Sequence, residues 1–299
     1  MENFVLTISF LLIGMGLRRL PQFPQNTAQV LNLFVIYVSL PALVLIKVPE
    51  LVFSRELLAP ALMPWFMLVV SAGLIWTVAK MCGWPDDTKG ALLLLVPLGN
   101  TSFLGIPMVR AFFGEEGIPY AVLYDQLGSF LALATYGSAV LAVYGREEGK
   151  PTVAAVLRKI VSFPPFICLL LAFACRAIPF PGPLSVLLHT LAATLVPVVL
   201  IAVGFQFTLR LRPEVLKPMA AGLLVKLVLA PCIALLVCRI FAFDSLAARV
   251  SVLEAGMAPM VSAGALAIMA GLSPELTAAL VGLGILLSFV TLPLLAQLL

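Results

Sequence analysis

Charge is scarce in this 299-residue chain. Lys and Arg number 18 and Asp and Glu 14, so 11% of residues are charged, where a soluble domain carries about 25%. Histidine occurs once, as His189, and the five cysteines (Cys82, Cys168, Cys175, Cys232, Cys238) form no CxxC pair. A zinc site and a disulfide framework are therefore not expected, and the cysteines read as small apolar residues. His189 reads as a packing residue. Long polar stretches are missing too, the longest expected loop being near 145–158, so no extramembrane domain is expected. What abounds is apolar: 62% of residues are hydrophobic and the mean hydropathy is +1.15. A soluble fold of this size could not hide so much apolar surface, which leaves lipid as the solvent. A soluble enzyme, a nucleic-acid binder and a disordered protein are excluded. The net charge of +4 calls for no acidic partner.

A spanning helix needs about 20 mostly apolar residues. Ten such runs lie near 3–20, 27–47, 57–82, 89–113, 118–144, 159–177, 184–206, 214–241, 247–270 and 274–298. The first is preceded by Glu2 without Lys or Arg and followed by no small-residue cleavage site, so it reads as a span and not a signal peptide. Odd-numbered loops hold Arg18, Arg19, Lys80, Lys89, Arg146, Lys150, Arg158, Lys159, Arg210, Arg212 and Lys217. Even-numbered loops hold only Lys47, Arg55, Arg110, Arg176, Arg239 and Arg249. The positive-inside rule then places odd loops in the cytoplasm and both termini outside. Trp84 and Tyr144 fall at cytoplasmic span ends, where amphipathic rings favour the headgroup level.

The chain also repeats itself. Leu40-Pro41-Ala42-Leu43-Val44-Leu45-Ile46 resembles Val196-Pro197-Val198-Val199-Leu200-Ile201-Ala202 at an offset of 156. Glu56-Leu57-Leu58-Ala59-Pro60 resembles Glu214-Val215-Leu216-Lys217-Pro218 at 158, and Gly114 pairs with Gly271 at 157. The halves are spans 1–5 and 6–10. Because five is odd, the second half enters the membrane upside down, which is a structural basis for alternating access.

Span four contains Pro97, Gly99, Asn100, Thr101, Ser102, Gly105 and Pro107 within eleven residues. Proline removes a backbone donor and clashes with the preceding turn, so the spacing predicts an unwound middle. Span nine, its counterpart, is expected to break at Pro259, within Glu254-Ala255-Gly256-Met257-Ala258-Pro259-Met260-Val261-Ser262. Unwound backbone at this depth is tolerated only where protein covers it or a cavity adjoins it. Matched breaks in inverted halves point to a midplane binding site, whose half-helix N-termini favour anions. Packing kinks are the plainer alternative. Asn100 and Thr101 are the expected hydrogen-bond donors to a carboxylate, with Ser102 beside them.

Three ionisable residues lie inside spans: Asp125, Lys226 and Glu254. Each costs at least ~2.5–3.5 kcal/mol at mid-bilayer unless paired, protonated or hydrated. Glu254, one turn before Pro259, suits a coupling role with a cation or a proton. Asp125 shares a helix face with Ser129 and lies nearer the outer interface, so headgroup-level solvation is its alternative. Lys226 reads as a counter-charge, to an acidic side chain or to an anionic substrate. Gln126 and Gln206 are candidate hydrogen-bonding residues of undetermined direction.

Four segments carry a resemblance: Tyr37-Val38-Ser39-Leu40-Pro41-Ala42-Leu43, Gly99-Asn100-Thr101-Ser102-Phe103-Leu104-Gly105-Ile106-Pro107, Tyr120-Ala121-Val122-Leu123-Tyr124-Asp125 and Leu253-Glu254-Ala255-Gly256-Met257-Ala258-Pro259-Met260. They resemble the auxin efflux carrier family, particularly its bacterial permeases, over the whole chain. That family looks related in fold to the bile-acid:sodium symporters, whose Glu-x-Gly-Met pattern Glu254-Ala255-Gly256-Met257 resembles. Ala258-Pro259 stands where the symporters have polar residues, a departure that bears on a sodium ion at Glu254.

The resemblance implies an all-α polytopic membrane protein: ten transmembrane helices in a 5+5 inverted repeat, with helices four and nine broken and crossing. It further implies scaffold helices one and two in 1–55, transport helices three to five in 56–145, a linker with scaffold helices six and seven in 146–212, and transport helices eight to ten in 213–299. The implied activity is elevator-type transport of small organic anions, auxin-like acids or dicarboxylates such as malate and malonate. Asn100 would contact substrate, with Pro97, Pro107 and Pro259 shaping the site, and Met257 and Ser262 join the candidate lining. The expected setting is the cell (inner) membrane and its lipid, with no cofactor or nucleic acid and a homodimer through the scaffold as candidate assembly. The competing readings are a sodium- or proton-coupled symporter of the bile-acid type, a sodium/proton antiporter and a non-transporting ligand sensor. An intramembrane enzyme finds no nucleophile–base pair or metal motif in the sequence.

Overall fold

The computed structural model describes residues 2–51, 54–145, 152–174, 176, 180–206 and 213–299. Cys175, Arg146, Lys150, Arg210, Arg212 and the side chain of Lys159, all singled out above, lie outside it. Among the described residues the regular structure is entirely helical, with one isolated backbone bridge between Gly99 and Pro259. In chain order the elements are α1 (Glu2–Leu17), α2 (Thr27–Glu50), α3 (Arg55–Met81), α4 (Asp86–Leu95), α5 (Thr101–Phe113), α6 (Glu115–Tyr144) and α7 (Val153–Val161). They continue with α8 (Pro164–Ala174), α9 (Gly182–Gln206), α10 (Pro213–Ile240), α11 (Leu246–Ala255), α12 (Val261–Met269) and α13 (Pro274–Ala296).

Six of these (α2, α3, α6, α9, α10 and α13) are long and apolar enough to cross a membrane. The remaining expected spans fall short of a full crossing as single helices. Spans four and nine are each two half-helices, α4 with α5 and α11 with α12. Spans one and six are shorter apolar helices, α1 and α8. Span six does not start at 159 as expected: Ser162 and Phe163 separate α7 from α8, because Pro164-Pro165 supplies no backbone donors. The segment near 145–158, expected as a loop, is helical from Val153. Thr152 caps it by accepting from the Ala155 amide at 3.3 Å. Val153, Leu157 and Val161, spaced four apart, share one exposed face of α7.

The long helices turn large apolar side chains outward. Tyr37, Val69, Val143, Val186, Leu236 and Val290 are all well exposed, a pattern that suits lipid and not water. Inside, the helices pack in two groups. In the first, α1 lies along α9, and α2 lies on α8 and α9. The α1–α9 approach is backbone to backbone: a Cβ at Gly14 would stand 2.1 Å from the Ile201 carbonyl oxygen, and one at Gly204 2.1 Å from that of Leu11. Small residues permit this closeness between membrane helices. Ser39 and Thr194 join α2 to α9 through their hydroxyls at 2.7 Å. In the second group α3 packs on α6 and α11, α4 on α6, α12 and α13, and α10 on α13 and α11. Helix α5 is shared, lying against α1 as well as α6 and α11.

Two local features recur. Gly114, which closes α5, and Gly271, just after α12, both adopt positive φ, 71° and 74°, a conformation glycine enters without steric cost. Several helices also widen into π-type turns, at Val35–Ser39, Thr101–Gly105, Tyr124–Phe130, Leu133–Gly137 and Val225–Leu229. Such turns are rare and often mark functional sites; three of these five carry polar residues of the site.

Candidate functional site

The two interruptions lie against each other. The chain leaves α4 after Leu95 and resumes helix at Thr101; it leaves α11 after Ala255 and resumes at Val261. Between them the Asn100 amide donates to the Ala258 carbonyl at 2.8 Å and the Met260 amide to the Leu98 carbonyl at 3.0 Å. The pairing supplies partners that unwound backbone must find at this depth. Pro97, Gly99, Met257, Ala258 and Pro259 are buried here, and Pro107 is buried in the first turns of α5. Gly284 on α13 receives the Pro259 ring: a Cβ there would stand 2.5 Å from Pro259 Cδ.

Asn100 is 3% exposed, its carbonyl accepts from the Leu104 and Gly105 amides, and its side-chain Nδ2 has no hydrogen-bond partner. An amide donor left free in the core is costly unless something comes to take it. Thr101 and Ser102 are otherwise committed. The Thr101 hydroxyl donates to Asp125 Oδ1 at 2.6 Å, and the Ser102 hydroxyl donates to the same oxygen. Gln126 Nε2 donates to Asp125 Oδ2 at 2.6 Å.

Asp125 is thus held by three donors and is 2% exposed. It is not solvated at headgroup level, the alternative its place in the sequence allowed, because the wide turn Tyr124–Phe130 carries it into contact with α5. Gln126 is fully buried, and its Oε1 remains without a partner.

Glu254 sits in the last turn of α11, 0% exposed, with neither carboxylate oxygen hydrogen-bonded. Its space comes from Gly105. A Cβ on Gly105 would stand 2.3 Å from Oε2 and 2.6 Å from Oε1 of Glu254. Lys226, in the wide turn of α10, is 3% exposed and donates from Nζ to the Ala255 carbonyl at 3.3 Å. Its Nζ would lie 3.1 Å from a Cβ on Gly99. Lys226 and Glu254 line a small cavity of about 10 Å³ with Tyr124, Ser129, Ser71 and Pro97, room for about one water molecule.

A second cavity, of about 210 Å³, opens between α9 and the pair α12–α13. Val203, Gln206, Val261, Gly264, Thr277 and Gly282 are among its mainly apolar lining. Ser262, half-buried in the first turn of α12, neighbours Val261. His189 is exposed on α9, because its neighbour Leu188 takes the inward position; it is not the packing residue expected. Among the described residues no group of three or more His, Cys, Asp and Glu gathers to hold a metal ion.

The structure therefore brings Asn100, Thr101, Ser102, Pro97, Met257, Pro259, Asp125, Lys226 and Glu254 together around the paired interruptions. It adds Tyr124, Ser71 and the accommodating role of Gly105, which the sequence reading did not assign. Gly105 stood in the motif, but its partner Glu254 is 149 positions away. Nothing in the sequence marks Ser71.

The profile of the family described as membrane transport protein matches residues 1–296. An uncharacterized transporter of Methanothermobacter thermautotrophicus is 27% identical over 298 residues, covering 98% of this chain and 96% of the relative. An uncharacterized transporter of Methanocaldococcus jannaschii is 26% identical, covering 73% and 70%. A Rhizobium meliloti protein whose name proposes malonate transport is 30% identical over 267 residues, covering 82% and 78%. A buried backbone pairing of two helix interruptions among lipid-facing helices, and a family match across the whole length, lead to one conclusion: the chain belongs to the membrane transport protein family, the auxin efflux carriers, and is a multi-pass membrane transporter.

Proposed function

We propose that the chain is a secondary carrier of small organic anions, with malonate-like dicarboxylates ahead of auxin-like aromatic acids, working by an elevator-type alternating-access movement. The observation that carries the reading is the free, buried Nδ2 of Asn100 at the backbone pairing of the two interrupted helices. A carboxylate oxygen satisfies such a donor. The half-helix start at Thr101 adds unpaired backbone N–H groups and a positive dipole end. Pro97, Pro107, Met257, Pro259 and Ser262 shape the site in this reading. Thr101 and Ser102 act through Asp125, and Glu254, Asp125 and Lys226 set the local charge. The name of the Rhizobium relative supports the dicarboxylate class.

In this reading the moving parts correspond to the two packing groups. Helices α1, α2, α8 and α9 form the scaffold, within 1–55 and 146–212. Helices α3–α6 and α10–α13 form the transport unit, within 56–145 and 213–299. In this arrangement ten spans make two inverted sets of five, supported by the matching positive-φ glycines Gly114 and Gly271 after equivalent half-helices. Both termini face outward across the cell (inner) membrane. The 210 Å³ cavity then lies in the cytoplasmic half, between scaffold and transport unit, as an inward-facing entry. The outward faces of the scaffold helices are the candidate contact of a homodimer.

The test is a thermal-shift screen of mono- and dicarboxylates on purified protein, since a ligand of the folded state raises its melting temperature. Malonate or a related dicarboxylate is expected to raise it, and Asn100→Ala to weaken that ligand about 10–100-fold, the cost of losing one hydrogen bond to a charged acceptor at ~1.5–3 kcal/mol. Unchanged affinity in a folded Asn100→Ala protein would remove Asn100 from the site. A ligand that binds but is not moved across liposomes would favour the sensor reading.

A further inference from the structure

The crossing concentrates negative charge. Helices α4 and α11 both end there, at Leu95 and Ala255, and a helix C-terminus carries the equivalent of about half a negative charge. Glu254 lies in the final turn of α11, fully buried and without a hydrogen-bond partner, and Asp125 is buried nearby behind Thr101 and Ser102. Uncompensated charge at this depth is costly. Carriers with such a centre can meet it with a dissolved cation, which then becomes a required co-substrate.

Here a cation is already attached. Lys226 Nζ reaches the Ala255 carbonyl, the last residue of α11, at 3.3 Å, and lies beside Gly99 in the break that follows α4. It therefore stands at the C-terminus of α11 and beside the unwound segment that follows α4, and a positive charge is favourable at a helix C-terminus. The space is shaped for it, since a side chain on Gly99 would crowd Nζ at 3.1 Å. Nor is the substrate its partner on this side: the adjoining cavity of about 10 Å³ holds about one water, far less than an organic anion needs. The ammonium forms no direct ion pair with Glu254; its hydrogen bond goes to the Ala255 carbonyl.

We infer that Lys226 is a tethered cation occupying the place of a coupling ion at the crossing, so that this carrier works without sodium and acquires a cation requirement when the lysine charge is removed. Lys226 is in this sense a positioning residue, holding the two interrupted helices together electrostatically. The inference rests on the carrier reading above and decides between its uncoupled and sodium-coupled forms.

The experiment compares melting temperatures of the purified protein in sodium, potassium and choline chloride at one ionic strength, with no organic acid present. The wild-type protein and Lys226→Arg are expected to melt alike in all three. Lys226→Ala is expected to melt lower in choline and to regain roughly 3 °C or more in sodium or potassium, the effect of a ligand at some ten times its dissociation constant. If Lys226→Ala does not fold, Lys226→Met, which keeps the apolar stem and loses only the charge, takes its place. A wild-type protein stabilised by sodium over choline overturns the inference whatever the variants do. So does a charge-less variant indifferent to the salt. Because no arm contains an organic acid, failure here is distinct from failure to find a carboxylate substrate.

Discussion

At the scale of single residues the site is organised by what each polar group is denied. Thr101 and Ser102 spend their hydroxyls on Asp125, so Asn100 is left as the free donor at the paired interruptions. Glu254 owes its position to an absent side chain at Gly105. Gly105→Ala places a methyl group within 2.3–2.8 Å of three carboxyl atoms of Glu254. The carboxyl group ends a flexible side chain and can yield toward the small cavity it shares with Lys226. Overpacking of this kind costs about 1–3 kcal/mol. We expect Gly105→Ala to remain folded while transport falls about tenfold or more. Adding the shorter acid, Glu254→Asp, should recover part of the loss, because the carboxyl group withdraws from the new methyl. Additive losses in the double variant, measured as a cycle of transport rates, would show that the two positions do not act on each other.

At the scale of elements, a partly exposed ion-pair network links helices of the two packing groups. Lys47, at the end of α2, reaches Glu50 at 3.3 Å and Glu115 at 3.4 Å, and Glu115 also pairs with Arg110 of α5. Lys47 thereby ties α2, of the first packing group, to the first turn of α6, in the second. These groups are partly exposed, Glu115 by 48%, so the tie is worth about 0.2–1 kcal/mol. That suffices to shift two conformations by up to about fivefold without locking either. Lys47→Gln should change the transport rate by up to that factor, and the difference from wild type should shrink as salt is raised toward 1 M, where exposed charges are screened within about 3 Å. A rate difference unaffected by salt would mean that Lys47 acts by packing.

At the scale of the whole molecule, the bias of Lys and Arg toward odd loops predicts that those loops face the cytoplasm. In a background freed of its native cysteines, a cysteine at Arg19 or Lys80 should resist a membrane-impermeant maleimide added to intact cells. One at Glu56 or Asp244 should react. All four side chains are exposed, so reactivity reports the side of the membrane. The reverse pattern would invert the assignment and place the large cavity on the outer face.

Much of this protein is legible in its sequence for a plain reason: solvent choice is a bulk property. A chain with 62% hydrophobic and 11% charged residues is driven to lipid-facing helices, and Pro97 and Pro259 fall in the two interruptions, where a missing backbone donor disfavours helix. Periodicity, however, reports only direction around a residue's own helix. That Thr101 serves Asp125, 24 positions on, that Lys226 reaches the carbonyl of Ala255, 29 positions on, and that Gly105 makes room for Glu254 are facts of packing between helices. The wide turns at Tyr124–Phe130 and Val225–Leu229 rotate Asp125 and Lys226 away from the faces an ideal helix would give them. Only the tertiary structure decided which buried polar groups are satisfied and which stay free, because a hydrogen bond made across helices depends on distances that no residue carries alone.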